Sequence, residues 1–199
     1  MLALLARIGA PEDVILDTQG NLATTYEELG RSEEALRMKR DVYSGYVRLR
    51  GEENRDTCQV AENYALALIH LKRFEEAKSL LRKTIPVVRR VLGDNDGLTL
   101  RVRGVYAQAL YFDAEATLDD LREAVTTLGE IERPARRVLG STHPATMYIE
   151  DNLQHARAAL LARLHPEPCN CAGMRNVVII EVRGNARRRG LCNTTFVPP

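Results

Sequence analysis

Apolar residues along this chain recur at helical spacing, break, and resume. Leu22, Tyr26 and Leu29 lie three and four residues apart, Gly30-Arg31-Ser32 interrupts them, and Ala35, Met38 and Val42 take the spacing up again. A period of about 3.6 residues gathers such positions onto one helix face, so the pattern predicts a helix, a tight turn and a second, antiparallel helix. The pattern then returns. Asn21-Leu22-Ala23 is followed 42 residues later by Asn63-Tyr64-Ala65 and, after 42 more, by Val105-Tyr106-Ala107. In the second helices, Glu33-Glu34-Ala35 returns as Glu75-Glu76-Ala77 and then, 47 residues on, as Arg122-Glu123-Ala124. The third unit thus carries five extra residues, placed within "YFDAEATLDD" between its two helices. Thr117 and Asp120 there have the spacing of a capping box that starts the second helix.

Each unit closes alike, with "LRGEENRDT", "VLGDNDGLT" and "VLGSTHPAT". Gly51, Gly93 and Gly140 stand where a helix ends and a left-handed residue is expected, and polar residues after them begin the next helix. A single hairpin cannot bury its own apolar stripe, so stacked hairpins forming a curved solenoid are the expected architecture. The register places units at about 15–56, 57–98 and 99–145, a partial unit at 1–14 because Gly9 lies 42 residues before Gly51, and a capping helix at 146–165. Residues 1–165 then form one all-α domain and 166–199 an irregular, poorly structured tail. "MLALLARIG" has the character of the end of a second helix whose first helix is missing, which is the ground for the alternative that the chain is a regulatory or sensor piece of a longer multidomain array.

Composition agrees with helices: 45% of residues are apolar, only 5% aromatic, and there is no Trp. A formal net charge of +1 gives no global field toward nucleic acid or a membrane. Four cysteines, Cys58, Cys169, Cys171 and Cys192, are too few and too unevenly placed for a secreted disulfide framework, so a reducing, cytoplasmic location is expected. The apolar opening is shorter than the roughly 20 residues a membrane span needs.

The pattern Asn-Leu-Ala-x-x-Tyr, Gly, Glu-Ala-Leu and Leu-Gly-x-x-His-Pro-x-Thr, closest in "NLATTYEELGRSEEAL" and "VLGSTHPAT", resembles the 42-residue tetratricopeptide repeats of the kinesin light chain family. The likeness covers roughly residues 1–165. It implies a tetratricopeptide-repeat solenoid of antiparallel helix pairs whose first helices line a concave groove that takes a partner's peptide. It also implies that the Asn of each first helix bonds the peptide backbone: Asn21, Asn63 and Asn152 by slot, with Val105 breaking the pattern. Such an Asn can equally bond only its own neighbours. Positions three and six residues further on include Leu66, Gln108, Tyr111 and His155, and one turn earlier come Asp17, Gln59, Arg101 and Tyr148. The candidate peptide-binding residues are therefore Asn21, Asn63, Leu66, Arg101, Gln108, Tyr111, Asn152 and His155; Leu66 and Ile69 can instead pack between units. Asn63 and Arg101 are expected to point into solvent in the free protein. The carboxylate-clamp subtype of this repeat fits at only Asn63 and Arg101, since Gly20, Thr24 and Val105 stand where it wants Lys, Asn and Arg, and Glu62 would repel a bound carboxylate.

No phosphate loop, nucleophile elbow or metalloprotease helix occurs in the sequence. His143 belongs to a Thr-His-Pro turn and not to a catalytic set. His165, Cys169, Cys171 and Cys192 offer four zinc ligands, but the Cys-x-Cys spacing is tighter than zinc sites commonly use. "NVVIIEV" and "RGNARRRG" give the tail a lone strand-like run and a basic run. The expected function is a non-catalytic scaffold or adaptor with a protein or peptide partner, without cofactor, metal, nucleic acid or membrane.

Overall fold

The computed structural model describes residues 2–165, and every expectation for 166–199 lies outside them. Eight helices occur among the described residues: α1 (Leu2–Arg7), α2 (Glu12–Glu28), α3 (Ser32–Arg50), α4 (Arg55–His70), α5 (Phe74–Leu92), α6 (Gly97–Tyr111), α7 (Leu118–Leu139) and α8 (Pro144–Leu164). Consecutive helices pack side by side into three hairpins, α2–α3, α4–α5 and α6–α7, preceded by α1 and followed by α8. The array is the all-α solenoid that the period predicts.

Repeat spacing reappears as repeated chemistry at the helix ends. Asn54, Asp96 and His143 occupy one slot, and each caps the next helix by accepting the backbone N–H two residues on, at 2.8, 2.8 and 3.1 Å. Thr117 and Asp120 form the capping box of α7, each side chain bonded to the other residue's backbone N–H. The closing threonines Thr57, Thr99 and Thr146 are all buried, and each hydroxyl donates to a carbonyl eleven residues back, of Tyr46, Val88 and Ala135, at 3.3–3.4 Å. This bond ties the start of each first helix to the second helix of the unit before it.

Alanine marks the tightest packing. Ala23, Ala65 and Ala107 on the first helices, and Ala35, Ala77 and Ala124 on the second, are all fully buried. The α8 residue in the first of these slots is Gln154, which is exposed. Likewise the fully buried Leu100 and Leu110 of α6 correspond on α8 to exposed Met147 and Arg157. The face that a second helix would cover is thus partly polar on α8, which suits a capping element. The long α6–α7 connection serves the core as well. Lys78 of α5 is buried where the first unit has Leu36, and Asp113 from that connection reaches its ammonium at 3.3 Å, alongside Glu75. Burial works against the charged amine, but the bonds to Glu75 and Asp113 outweigh it and hold the Lys78 pKa above its ordinary value.

The glycine ends differ from expectation in one respect. Gly51, Gly93 and Gly140 have φ of 78°, 88° and 94°, but ψ of 168°, 163° and 155° takes them out of the left-handed helical basin into a region that essentially only glycine occupies. Inside the hairpins the turn is of the Schellman type. Gly30 (φ 77°) and Lys72 (φ 59°) fill the same slot, and the N–H of the following arginine bonds the carbonyl five residues back at 2.8 Å in both units. Lys72 therefore bears strain that Gly30 does not. We expect Lys72→Gly to raise stability by about 1 kcal/mol and Gly93→Ala to lower it by about 1–3 kcal/mol, both read from chemical denaturation midpoints. No atom stands within 4 Å of a Cβ built on Gly93, so that loss would be purely conformational.

Candidate functional site

The first helices α2, α4, α6 and α8 form one face of the array, and along most of it they bond to each other. The guanidinium of Arg101 on α6 donates to Gln59 Oε1 at 2.6 Å and to the Glu62 carboxylate at 3.1–3.3 Å. Gln59 Nε2 donates to the same carboxylate at 2.8 Å. Burial pushes the Glu62 carboxyl above its ordinary range, and Arg101 and Gln59 oppose that shift. Further along, the Tyr148 hydroxyl donates to Gln108 Oε1, the Tyr111 hydroxyl donates to Asn152 Oδ1, and Asn152 Nδ2 donates to the Tyr148 carbonyl at 2.6 Å. Burial raises the pKa of both phenols, which stay protonated as donors. From α4 to α8, Gln59, Glu62, Arg101, Gln108, Tyr111, Tyr148 and Asn152 are thus bonded within the array.

Between α2 and α4 the face opens. The α4–α6 and α6–α8 pairs pack directly, but α2 has no comparable contact with α4. A cleft of roughly 370 Å³ lies there, walled by Leu16, Asp17, Gly20, Asn21 and Thr24 of α2 and by Asp56, Gln59, Val60 and Asn63 of α4, with Lys39, Val42, Tyr46 and Arg50 of α3 as its floor. Two substitutions within the repeat account for it. The slot of Lys39 holds fully buried Leu81 and Leu128 in the later units, and the slot of Arg50 holds Leu92 and Leu139. Long charged side chains replace the apolar filling.

These charges are paired around the rim. Arg50 donates to Asp13 at 2.9 Å and also pairs with Asp56, Lys39 pairs with Glu27, and Tyr46 donates its hydroxyl to Asp17. Burial first, and then the bond to Asp17, push the Tyr46 phenol up to about 12. Leu16, Val42 and Tyr46 form a small core of their own, with Val60 against it, separate from the main core that runs from Leu36 of α3 through α4–α8. Gly45 lets α2 approach α3 there, since a Cβ at that position would meet Leu16 Cδ2 at 2.6 Å.

The predicted residues separate accordingly. Asn21 and Asn63 are exposed and line opposite walls of the cleft. Leu66 is half-buried against the main core, and Ile69 is buried within it. Tyr111 and Asn152 are buried and bonded to each other, while Gln108 is half-buried and accepts from Tyr148. His155 is exposed on α8 with its ring 3.4 Å from the Asp151 carboxylate, apart from the cleft. Arg101 does not extend into solvent as expected: it folds back onto buried Glu62, whose charge would otherwise have no counterion. Lys39, Val42, Tyr46 and Arg50 are not among the candidates, though the loss of Leu at two repeat slots is a visible signal for them. Among the described residues no group of His, Cys, Asp and Glu is arranged to hold a metal ion, and no helix is long and apolar enough to cross a membrane.

Arg101→Ala should therefore destabilise the fold, by about 2–4 kcal/mol, because it leaves a buried carboxylate unpaired. The native state already holds the Glu62 proton more tightly than the unfolded chain does, so stability falls as pH rises through the raised value. Removing Arg101 raises that value further. The loss in thermal midpoint on Arg101→Ala should be smaller at pH 5 than at pH 8, and Glu62→Gln placed with Arg101→Ala should abolish this pH dependence.

Comparisons with known proteins bear on the same array. The tetratricopeptide repeat family model matches residues 15–56 and 57–96. Among solved structures, a Podosopora anserina protein described as a kinesin light chain with nearly identical TPR-like repeats aligns at a TM-score of 0.64 and 21% identity, over 82% of this chain and 76% of its own. A single-substitution variant of that protein aligns at a TM-score of 0.66 with the same identity and coverage. BtubC (BKLC) from P. vanneervenii aligns at 0.50 and 15% identity over 84% of this chain and 72% of its own. No curated protein sequence matches the chain. The two tandem tetratricopeptide-repeat matches cover α2–α5, and the array as a whole has the fold of these solved repeat structures.

Proposed function

We propose that this chain is a non-catalytic cytoplasmic adaptor whose repeat domain, residues 1–165, binds a peptide segment of another protein on the face of its first helices, seated in the α2–α4 cleft. The observation that carries this reading is the pair Asn21 and Asn63. They occupy the same slot on facing helices, line an open cleft, and among the described residues neither side-chain amide has an internal hydrogen bond. An amide carries both a donor and an acceptor, the complement of an extended peptide backbone. Arg101, Gln108, Tyr111 and Asn152 are bonded within the array, which favours the cleft over the middle of the groove as the seat.

A random peptide display library selected on the full chain tests this. Asn63→Ala should weaken the selected peptides about tenfold, the value of one well-placed hydrogen bond, without moving the thermal midpoint. His155→Ala, remote from the cleft, should leave affinity unchanged. Selected peptides that bind Asn63→Ala and Asn21→Ala as tightly as the parent would place the interaction elsewhere.

A further inference from the structure

We propose that the α2–α4 cleft selects a cationic side chain, arginine or lysine, of the partner segment; this rests on the reading of the cleft as the peptide seat. The repeat itself supplies the template. Between α4 and α6, Arg101 lies across the seam and satisfies Glu62 and Gln59 on the neighbouring first helix. One unit earlier Gln59 fills the slot of Arg101, Gly20 that of Glu62 and Asp17 that of Gln59, so at the seam between α2 and α4 the carboxylate is Asp17 and the cation its successor has is absent. The partner's side chain would take the place that Arg101 takes one repeat later.

The local charges favour such a guest. Asp17 and Asp56 line the cleft; Arg50 of its floor is shared between Asp56 and Asp13, and Lys39 pairs with Glu27. Asp17 has only a neutral partner, the Tyr46 hydroxyl. Its carboxylate lines the cleft, and Gly20, three residues further along the same helix face, leaves the wall open, with nothing within 4 Å of where a Cβ would stand. Leu16, Val42 and Val60 offer an apolar bed for the aliphatic stem of a long cationic side chain, whose head then meets Asp17 and the amide oxygens of Asn21 and Asn63. An acidic segment would instead face the Asp17 carboxylate, which has no cationic partner, in a partly desolvated cleft where like charges repel strongly.

The test continues from peptides selected on the full chain. Those whose binding depends on Asn63 should carry an arginine or lysine, and replacing that residue by norleucine should weaken them about tenfold or more. Asp17→Asn should weaken them comparably, and affinity should fall with added salt. Gln59→Arg supplies the missing cation from within, as Arg101 does in the next unit, and should suppress binding of the basic peptides; because Gln59 also bonds Arg101 and Glu62, affinity is compared at a temperature where the variant's thermal melt shows it folded. Because Asp17→Asn also alters the bond to Tyr46, Gln59→Arg is the independent check. Peptides that need Asn63 yet bind equally well with norleucine, or that are acidic, overturn the cationic selectivity and leave the cleft standing. Peptides indifferent to Asn63 and Asn21, or none selected at all, overturn the cleft as the seat and the selectivity with it.

Discussion

A two-helix hairpin has more apolar surface than it can cover by itself, and every feature of this chain follows from the need to lend that surface to a neighbour. The fully buried alanines on both helices of each unit let the helices come close, and the larger residues around them fill the seam to the next unit. The threonine at each unit start then fixes how the next hairpin sits, because a hydroxyl buried between helices costs stability unless it finds an acceptor, here the carbonyl eleven residues back. Repetition of sequence is thus repetition of an interface. The exposed Gln154, in the alanine slot of α8, shows the same logic from the other side: where no second helix follows among the described residues, the slot is released to a polar residue.

A repeat maintained for packing makes its departures informative. Leu81 and Leu128 are fully buried, and Lys39 in their slot cannot be buried in the same way without a partner, so α3 presents it to an open seam with Glu27 as counterion. Lys78 is the opposite outcome. It also replaces a leucine of another unit, but the lengthened α6–α7 connection brings Asp113 to it and the seam stays closed. A charged residue in an apolar slot opens the array or recruits a counterion from an insertion. Both solutions occur in this one chain.

The architecture is legible because it rests on apolar period and helix punctuation, which are local. Helix number, the antiparallel hairpins and the Thr117–Asp120 box can all be read from spacing. The polar face is harder, because what a side chain does there depends on a residue about 40 positions away. Arg101 and Glu62, Tyr111 and Asn152, and Tyr148 and Gln108 are each bonded across adjacent first helices, and the identity of both partners decides whether either faces a ligand. Reading each slot by itself places Arg101 in solvent and casts Glu62 only as a repeller. Comparing slots between units, as the Lys39 and Arg50 columns allow, is the sequence operation that finds the cleft.

Binding and stability pull this molecule in different directions along its length. The main core spans α4–α8 and is crossed by buried hydrogen bonds, so that part of the first-helix face is already committed, and occupying it with a ligand would first require breaking those bonds. α2 packs on α3 over a smaller core around Leu16, Val42 and Tyr46, while Leu36 joins α3 to the main core, and the straps across the cleft are rim ion pairs of modest strength. Rim pairs can exchange one partner for another at little cost, and a cation arriving at Asp17 need not displace any of them. α4, held by α3, α5 and α6, is therefore the fixed wall of the cleft, and α2, which packs on α3 but not comparably on α4, is the wall with the fewest commitments. A peptide seated there meets a surface that is preorganised on the α3 and α4 sides, which limits the ordering entropy that binding costs.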